Sequence, residues 1–179
     1  AICQVRTPSG DTDTHGGTAF FIAPGLLLTA GHVLWGKDEV IIVPAKNGDG
    51  TGTPTEPYGR FRVRSSDWQI HPSHATSPNH EFDIALIRVP SGCEAPAGRY
   101  FDLVEELTQS RQEGVVVCGY AAWWTADTPI EHFVNNNIDP NRQHAHGGYI
   151  RQLPTDETFT YDLQTLGGAS GSPVYWIEQ

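Results

Sequence analysis

The sequence predicts an all-β chain of the sandwich or barrel class. Three observations carry that prediction. Short apolar or alternating runs recur from Thr18 to Ile177. Turn residues separate them, supplied by 19 Gly and 13 Pro. Helical periodicity is almost absent, and no repeat of fixed period is evident. With 179 residues and 38% hydrophobic content, the chain can form one large domain or two small ones around a sizeable core.

Taken in order, Ala1 to Gly17 is polar and carries Pro8, Gly10, Gly16 and Gly17, so it reads as an arm leading into the domain. Thr18–Ala23 is strand-like, Pro24-Gly25 is a turn, and Leu26–Ala30 returns as the second half of a hairpin. Gly31–Trp35 reads as a turn or a single helical turn, Val40–Val43 as a strand, and Lys46–Pro57 as an exposed loop. Phe61–Arg64 and Trp68–Pro72 alternate with period two, the second run stopping at its proline. Ser73–Glu81 is a polar loop, and Phe82–Val89 is a strong strand with Asp83 near its start. Pro90–Gly98 is a connector, and Phe101–Gln112 is either a short helix or a surface crossover. Val115–Tyr120 is a buried strand, whereas Ala121–His146 has no clean period. Gly148–Leu153 and Thr158–Leu163 alternate, and Val174–Ile177 is a last strand. The weak turn signals over residues 90–112 mark the boundary between two halves.

Composition removes several function classes. The formal net charge is −10 with no basic block, which argues against nucleic acid as a partner. No run approaches the ~20 apolar residues of a membrane-spanning helix, so no membrane partner is expected. The chain contains no Met, so Ala1 is not an initiator, and any signal peptide is expected to be gone already. Cys3, Cys93 and Cys118 are too widely spaced for a zinc knuckle. They form either one disulfide with a leftover thiol or three reduced thiols. His144-Ala145-His146, Asp11/Asp13 and Asn47/Asp49 read as polar loops rather than metal ligands, and no cofactor is called for.

Gly167-Gly168-Ala169-Ser170-Gly171-Ser172-Pro173-Val174 is the chemically informative stretch. Its glycines permit a sharp turn that exposes a hydroxyl and aims backbone N–H groups near it. Taken alone it is an ordinary turn feeding a strand, and Ser170 and Ser172 compete for any catalytic role. A serine needs a base, usually a histidine oriented by a buried carboxylate. His32 follows a buried run at a strand end, and Asp83 opens an apolar strand. Each, alone, is also an ordinary core histidine or surface carboxylate. Together they stand in the order His32…Asp83…Ser170, one of the chain orders in which a triad occurs.

These residues carry a resemblance. Leu28-Thr29-Ala30-Gly31-His32-Val33, Asp83-Ile84-Ala85-Leu86-Ile87 and Gly168-Ala169-Ser170-Gly171-Ser172-Pro173-Val174 resemble the histidine, aspartate and nucleophile motifs of chymotrypsin-like serine peptidases. Ile70-His71-Pro72 is similar to the stretch that precedes the family's aspartate, and the resemblance spans roughly residues 16–177. Tyr161–Gly168 is similar to the glutamyl-endopeptidase branch. The resemblance implies two antiparallel six-stranded β-barrels, the second incomplete in this chain, with residues 1–100 carrying His32 and Asp83 and residues 101–179 carrying Ser170.

It further implies an endopeptidase acting on protein or peptide substrates through an acyl-enzyme. Ser170 would be the nucleophile, His32 the general base and then acid, and Asp83 the group that sets its tautomer. The N–H groups of Gly168 and Ser170 would form the oxyanion hole. Gln164 stands where trypsin-like members carry an Asp, which disfavours cleavage after basic residues. Thr165 matches a Thr that binds the substrate carboxylate in the glutamyl branch, where a free amine such as that of Ala1 also assists. Ala169 replaces the Asp that many members pair with a new N-terminus. The family continues for several strands past the nucleophile, so a companion chain supplying the segment after Gln179 is expected. Cys3 and Cys93 are expected to tie the arm to the connector, with Cys118 a buried free thiol, in a secreted protein. The competing reading is an inactive binding or regulatory module on the same fold.

Overall fold

A computed structural model describes residues 1–9, 12–47, 54–76, 80–93, 99–103, 114–121, 142–152, 159–162, 165 and 167–176. Seven strands form the first sheet: β1 (Ile2–Ser9), β2 (Thr12–Ala23), β3 (Leu26–Thr29), β4 (Glu39–Pro44), β5 (Phe61–Arg64), β6 (Trp68–Ile70) and β7 (Ala85–Arg88). Their spatial order is β5-β4-β1-β2-β3-β7-β6, and the neighbours run antiparallel. A single turn, α1 (Gly31–Leu34), follows β3, and α2 (Pro72–Thr76) follows β6. The second sheet contains β8 (Gly114–Tyr120), β9 (Gln143–Gln152), β10 (Thr160–Tyr161) and β11 (Val174–Tyr175) in the order β10-β9-β8-β11. The chain is therefore mostly β, a curled antiparallel sheet with a smaller second one. This is a chymotrypsin-like double-barrel architecture with the second barrel incomplete.

Cys3, Val5, Phe21, Leu27, Ile42 and Ile87 are fully enclosed in the core of the first sheet. Inward-facing residues from neighbouring strands meet there, removing apolar surface from water at roughly 25 cal/mol per Å². A second cluster joins the sheets. Ile2, Cys118 and Tyr120 are buried in it, and Phe20, Phe101 and Tyr175 pack edge-on around them. The Phe101 N–H donates to the Phe21 carbonyl at 2.9 Å, and the Tyr120 hydroxyl donates to the Lys46 carbonyl at 2.9 Å. Lys46 is itself buried, and its Nζ reaches Gln4 Oε1 at 3.1 Å.

Four local expectations are corrected. The polar arm is not an arm, because β1 and the first half of β2 occupy it and β1 is flanked by β2 and β4. Its first residues, Ile2 to Val5, are all buried. A strand covered on both faces loses the period-two signal, and the buried Gln4 disguises it further. A bulge between Val5 and Arg6 carries the pairing on into the polar ribbon that ends at Ser9↔Thr12. The loop expected over Ser73–Glu81 instead begins with α2, and the strand expected over Phe82–Val89 is confined to β7. β9 starts at Gln143, inside a stretch without legible period. Most of the helix-or-crossover segment Phe101–Gln112 lies outside the described residues.

Candidate active site

The histidine–aspartate pair follows from strand register. Thr29 of β3 pairs with Ala85 of β7, so residue 31 falls opposite residue 83. The chain turns into α1 there, with Val33 and Leu34 buried as anchors. His32, between buried Gly31 and Val33, is turned outward, its side chain 48% exposed against 18% for Asp83. The His32 backbone N–H donates to Asp83 Oδ1 at 2.8 Å, and His32 Nδ1 lies 2.5 Å from Asp83 Oδ2. An ionised carboxylate only accepts, so the proton of the neutral imidazole resides on Nδ1 and Nε2 keeps its lone pair. Burial pushes the Asp83 carboxyl up. The two hydrogen bonds from His32, with the charges of His32 and His74, outweigh it and hold the group below its usual range.

His74 was not singled out by its sequence. It is buried on α2, its ring edge-on to Trp35 at 5.6 Å and its Nε2 3.4 Å from Asp83 Oδ1. A Cβ on Gly31 would lie 2.9 Å from His74 Cδ2 and 3.2 Å from Asp83 Oδ1, so a glycine is what lets the two groups close over α1. The only sequence signal was Pro72, which opens the helix carrying His74.

The serine loop is tight and glycine-shaped. Gly168 (φ 81°) and Gly171 (φ 83°) occupy the left-handed region that favours glycine, and the Ser172 N–H donates to the Ala169 carbonyl at 2.9 Å. The two candidate serines separate here. The Ser172 hydroxyl is buried, has no hydrogen-bond partner among the described residues, and points at β8, where a Cβ on Gly119 would lie 1.9 Å from it. Ser170 is half-buried and lines a cleft of about 240 Å³ with Tyr161, Thr165, Ala169, Gly171 and Ser172 itself.

The loop is seated on the middle of β2 and the end of β3, beside α1. The Thr18 N–H donates to the Ser170 carbonyl at 2.8 Å, and the Thr18 hydroxyl donates to the Gly168 carbonyl at 3.0 Å. A Cβ on Gly17 would meet both Val33, the neighbour of His32, and the Ser170 carbonyl. Thr18 too escaped the sequence reading, because a threonine in a strand carries no distinguishing signal. His15, also on β2, stacks obliquely near Tyr120 at 6.5 Å. Its two ring nitrogens are buried beside backbone groups of Gly168 and Tyr120 without a well-formed hydrogen bond to either. Burial lowers its pKa to about 4.

Thr165 is exposed at the cleft, where it shares a shallow depression with Ala169, His144 and His146. Gln164 lies outside the described residues. The Ala1 ammonium donates to the Arg99 carbonyl. The expected Cys3–Cys93 link is absent. Cys3 is enclosed within β1, Cys93 packs half-buried against the same core, and both are free thiols, as is buried Cys118. Among the described residues no cluster of three or more His, Cys, Asp or Glu is arranged to hold a metal ion.

No curated protein sequence matches this one significantly. Solved structures do. The chain is similar to a thermostable serine protease, AL20, from an extremophilic microorganism, with 17% identity, TM-score 0.64, and coverage of 99% of this chain and 79% of that one. It is similar to a Glu endopeptidase determined in complex with MPD, with 17% identity, TM-score 0.67, and coverage of 97% and 72%. It is also similar to the protease Anisep from Arthrobacter nicotinovorans, with 16% identity, TM-score 0.67, and coverage of 99% and 78%. At these identities the likeness establishes the fold. The trypsin-like peptidase domain model matches residues 17–178, nearly the whole chain, and the chain therefore belongs to the trypsin-like peptidase domain family.

Proposed function

We propose that this serine endopeptidase cleaves peptide bonds through a triad of His32, Asp83 and Ser170. The observation that carries the reading is the pair of hydrogen bonds between His32 and Asp83, at 2.8 and 2.5 Å, on the same end of the first sheet where the Ser170 loop is seated. Asp83 holds the imidazole with Nε2 free to take a proton. The Ser170 hydroxyl loses its proton to Nε2 and attacks the scissile carbonyl. His32, now an imidazolium stabilised by Asp83, returns the proton to the leaving amine. Water then repeats the sequence on the acyl-enzyme. The N–H groups of Gly168 and Ser170 receive the developing oxyanion, each such donor being worth about 3–4 kcal/mol.

We further propose a preference for an acidic residue before the scissile bond. Thr165 offers a hydroxyl at the cleft, and His144 and His146 beside it offer imidazoles that pair with a carboxylate once protonated. The test has two parts. A fluorophosphonate should label the wild-type protein and the Ser172→Ala variant but not Ser170→Ala; labelling that survives Ser170→Ala refutes the triad. A peptide library should then be cut after Glu or Asp, and cleavage indifferent to that residue, or after Lys and Arg, refutes the specificity.

A further inference from the structure

We infer that Thr18 is a positioning residue for catalysis: its hydroxyl and backbone hold the Gly168 and Ser170 peptide groups so that the N–H groups of both residues face the cleft. The inference rests on the reading of Ser170 as nucleophile and deepens it.

One strand of the first sheet ends early. β3 finishes at Thr29, paired with Ala19, so Thr18 lies one residue beyond the ladder. Thr18 is fully buried, and an unpartnered backbone group there would be costly. Its N–H instead donates to the Ser170 carbonyl at 2.8 Å, and its carbonyl accepts the Thr29 hydroxyl at 2.7 Å. The side chain completes the arrangement. Thr18 Oγ1 accepts the Tyr120 N–H at 3.0 Å and lies 3.0 Å from the Gly168 carbonyl. An amide N–H only donates and a carbonyl only accepts, so the hydroxyl hydrogen is committed to Gly168. One residue thus ties β2, β3, β8 and the serine loop together.

Glycines clear the space that Thr18 needs. A Cβ on Gly171 would lie 2.2 Å from the Thr18 carbonyl, and one on Gly119 would lie 3.0 Å from its hydroxyl. Gly171, with Gly167 and Gly168, leaves the loop with little conformational preference of its own. Its shape must then come from outside. The two carbonyls that Thr18 holds belong to the peptides on either side of the Ala169–Ser170 peptide, and each peptide is planar. Fixing both outer planes restricts the middle one, which carries the Ser170 N–H. The plane that starts at the Gly168 carbonyl also restrains the preceding peptide, which carries the Gly168 N–H, through a residue at φ 81°.

Thr18→Val, near in shape but without the hydroxyl, and Thr18→Ser, which retains it, test the inference. Four quantities are measured: kcat and KM on a peptide substrate, affinity for a peptide boronic acid that mimics the tetrahedral intermediate, and affinity for the cleaved peptide acid. Rates are normalised to the serine that titrates with fluorophosphonate, and stability is followed by denaturation. Thr18→Val should lower kcat about tenfold or more with KM within about twofold, and weaken the boronic acid in proportion while leaving the peptide acid unchanged. Thr18→Ser should stay within about threefold of wild type. If Thr18→Val does not fold, Thr18→Ala, which leaves room for a water at the hydroxyl position, is judged by the same criteria. A folded variant without the hydroxyl whose kcat stays within about twofold overturns the inference, as does a loss confined to KM or a Thr18→Ser variant as impaired as Thr18→Val. Ser170→Ala separates the two readings. If it remains active, the serine assignment fails; if it is inert and Thr18→Val is unimpaired, only the positioning role fails.

Discussion

His32 and Asp83 are joined by the pairing of β3 with β7 and by two hydrogen bonds between themselves. The Ser170 loop, in contrast, hangs on Thr18, whose hydroxyl reaches a carbonyl 150 residues further along the chain. One half of the site inherits its geometry from strand register. The other is a glycine-rich turn whose shape is imposed by a strand of the opposite sheet. The lesson is that damage to the two halves should look different. A change near His32 and Asp83 should alter proton transfer and leave the serine loop alone. A change under the loop should alter transition-state binding and couple the two sheets' stability.

The largest expected effect comes from removing the proposed nucleophile. Ser170→Ala should lower kcat by about 10⁴-fold or more, measured on a chromogenic peptide, whereas Ser172→Ala should retain most activity. Asp83→Asn should lower kcat about 10⁴-fold by leaving His32 in the wrong tautomer, with KM changed far less. Equal sensitivity of both readouts would erase the distinction between the halves.

Stability gives a smaller contrast. Gly171→Ala places a Cβ 2.2 Å from a backbone oxygen at a left-handed φ, and should cost about 3 kcal/mol in denaturant unfolding. Gly31→Ala meets the His74 ring at 2.9 Å and Asp83 at 3.2 Å, contacts that side chains relieve by shifting. It should cost about 1 kcal/mol and lower kcat without weakening a boronic acid in proportion.

A pH slope supplies the last contrast. The His15 pKa is depressed in the folded protein from 6.5 to about 4, so the folded state favours the neutral ring. The stability this contributes is fully present above pH 6.5 and lost as pH falls toward about 4, because the unfolded chain takes up the proton first. The slope in that window is at most about 1 kcal/mol per pH unit. His15→Phe should flatten it in thermal unfolding; an unchanged slope would remove His15 from the account. Asp83 adds a second acid-side loss with the same sign, since its folded pKa lies below its unfolded one and its stabilisation disappears as pH falls through that value.

Much of this was legible beforehand, for identifiable reasons. Leu26–Thr29 and Val40–Val43 announced themselves as strands because they are short apolar runs bounded by turn or polar residues. His32, Asp83 and Ser170 stood out because each sits in a motif whose neighbours are also chemically constrained. β1 did not, because burial on both faces removes alternation and Gln4 is polar yet enclosed. His74 did not, because its partner Asp83 reaches it through folding rather than through a fixed sequence spacing. The disulfide expectation failed in the structure for a related reason. Cys3 and Cys93 share a core without being bonded, and linear spacing says nothing about the distance between two thiols.

The sequence by itself determined the all-β class, the chemical types available to a site and their order along the chain, because periodicity and motif composition are local properties. Residue types alone left Ser170 and Ser172 as rivals, and the motif resemblance favoured Ser170. Only the tertiary structure buried the Ser172 hydroxyl against β8, in a cleft that both serines line. It also gave Thr18 its four hydrogen bonds, to Ser170, Gly168, Thr29 and Tyr120. The physical reason is that a buried polar group must find its partner wherever packing brings one. For the serine loop that partner lies on β2, at the far end of the chain.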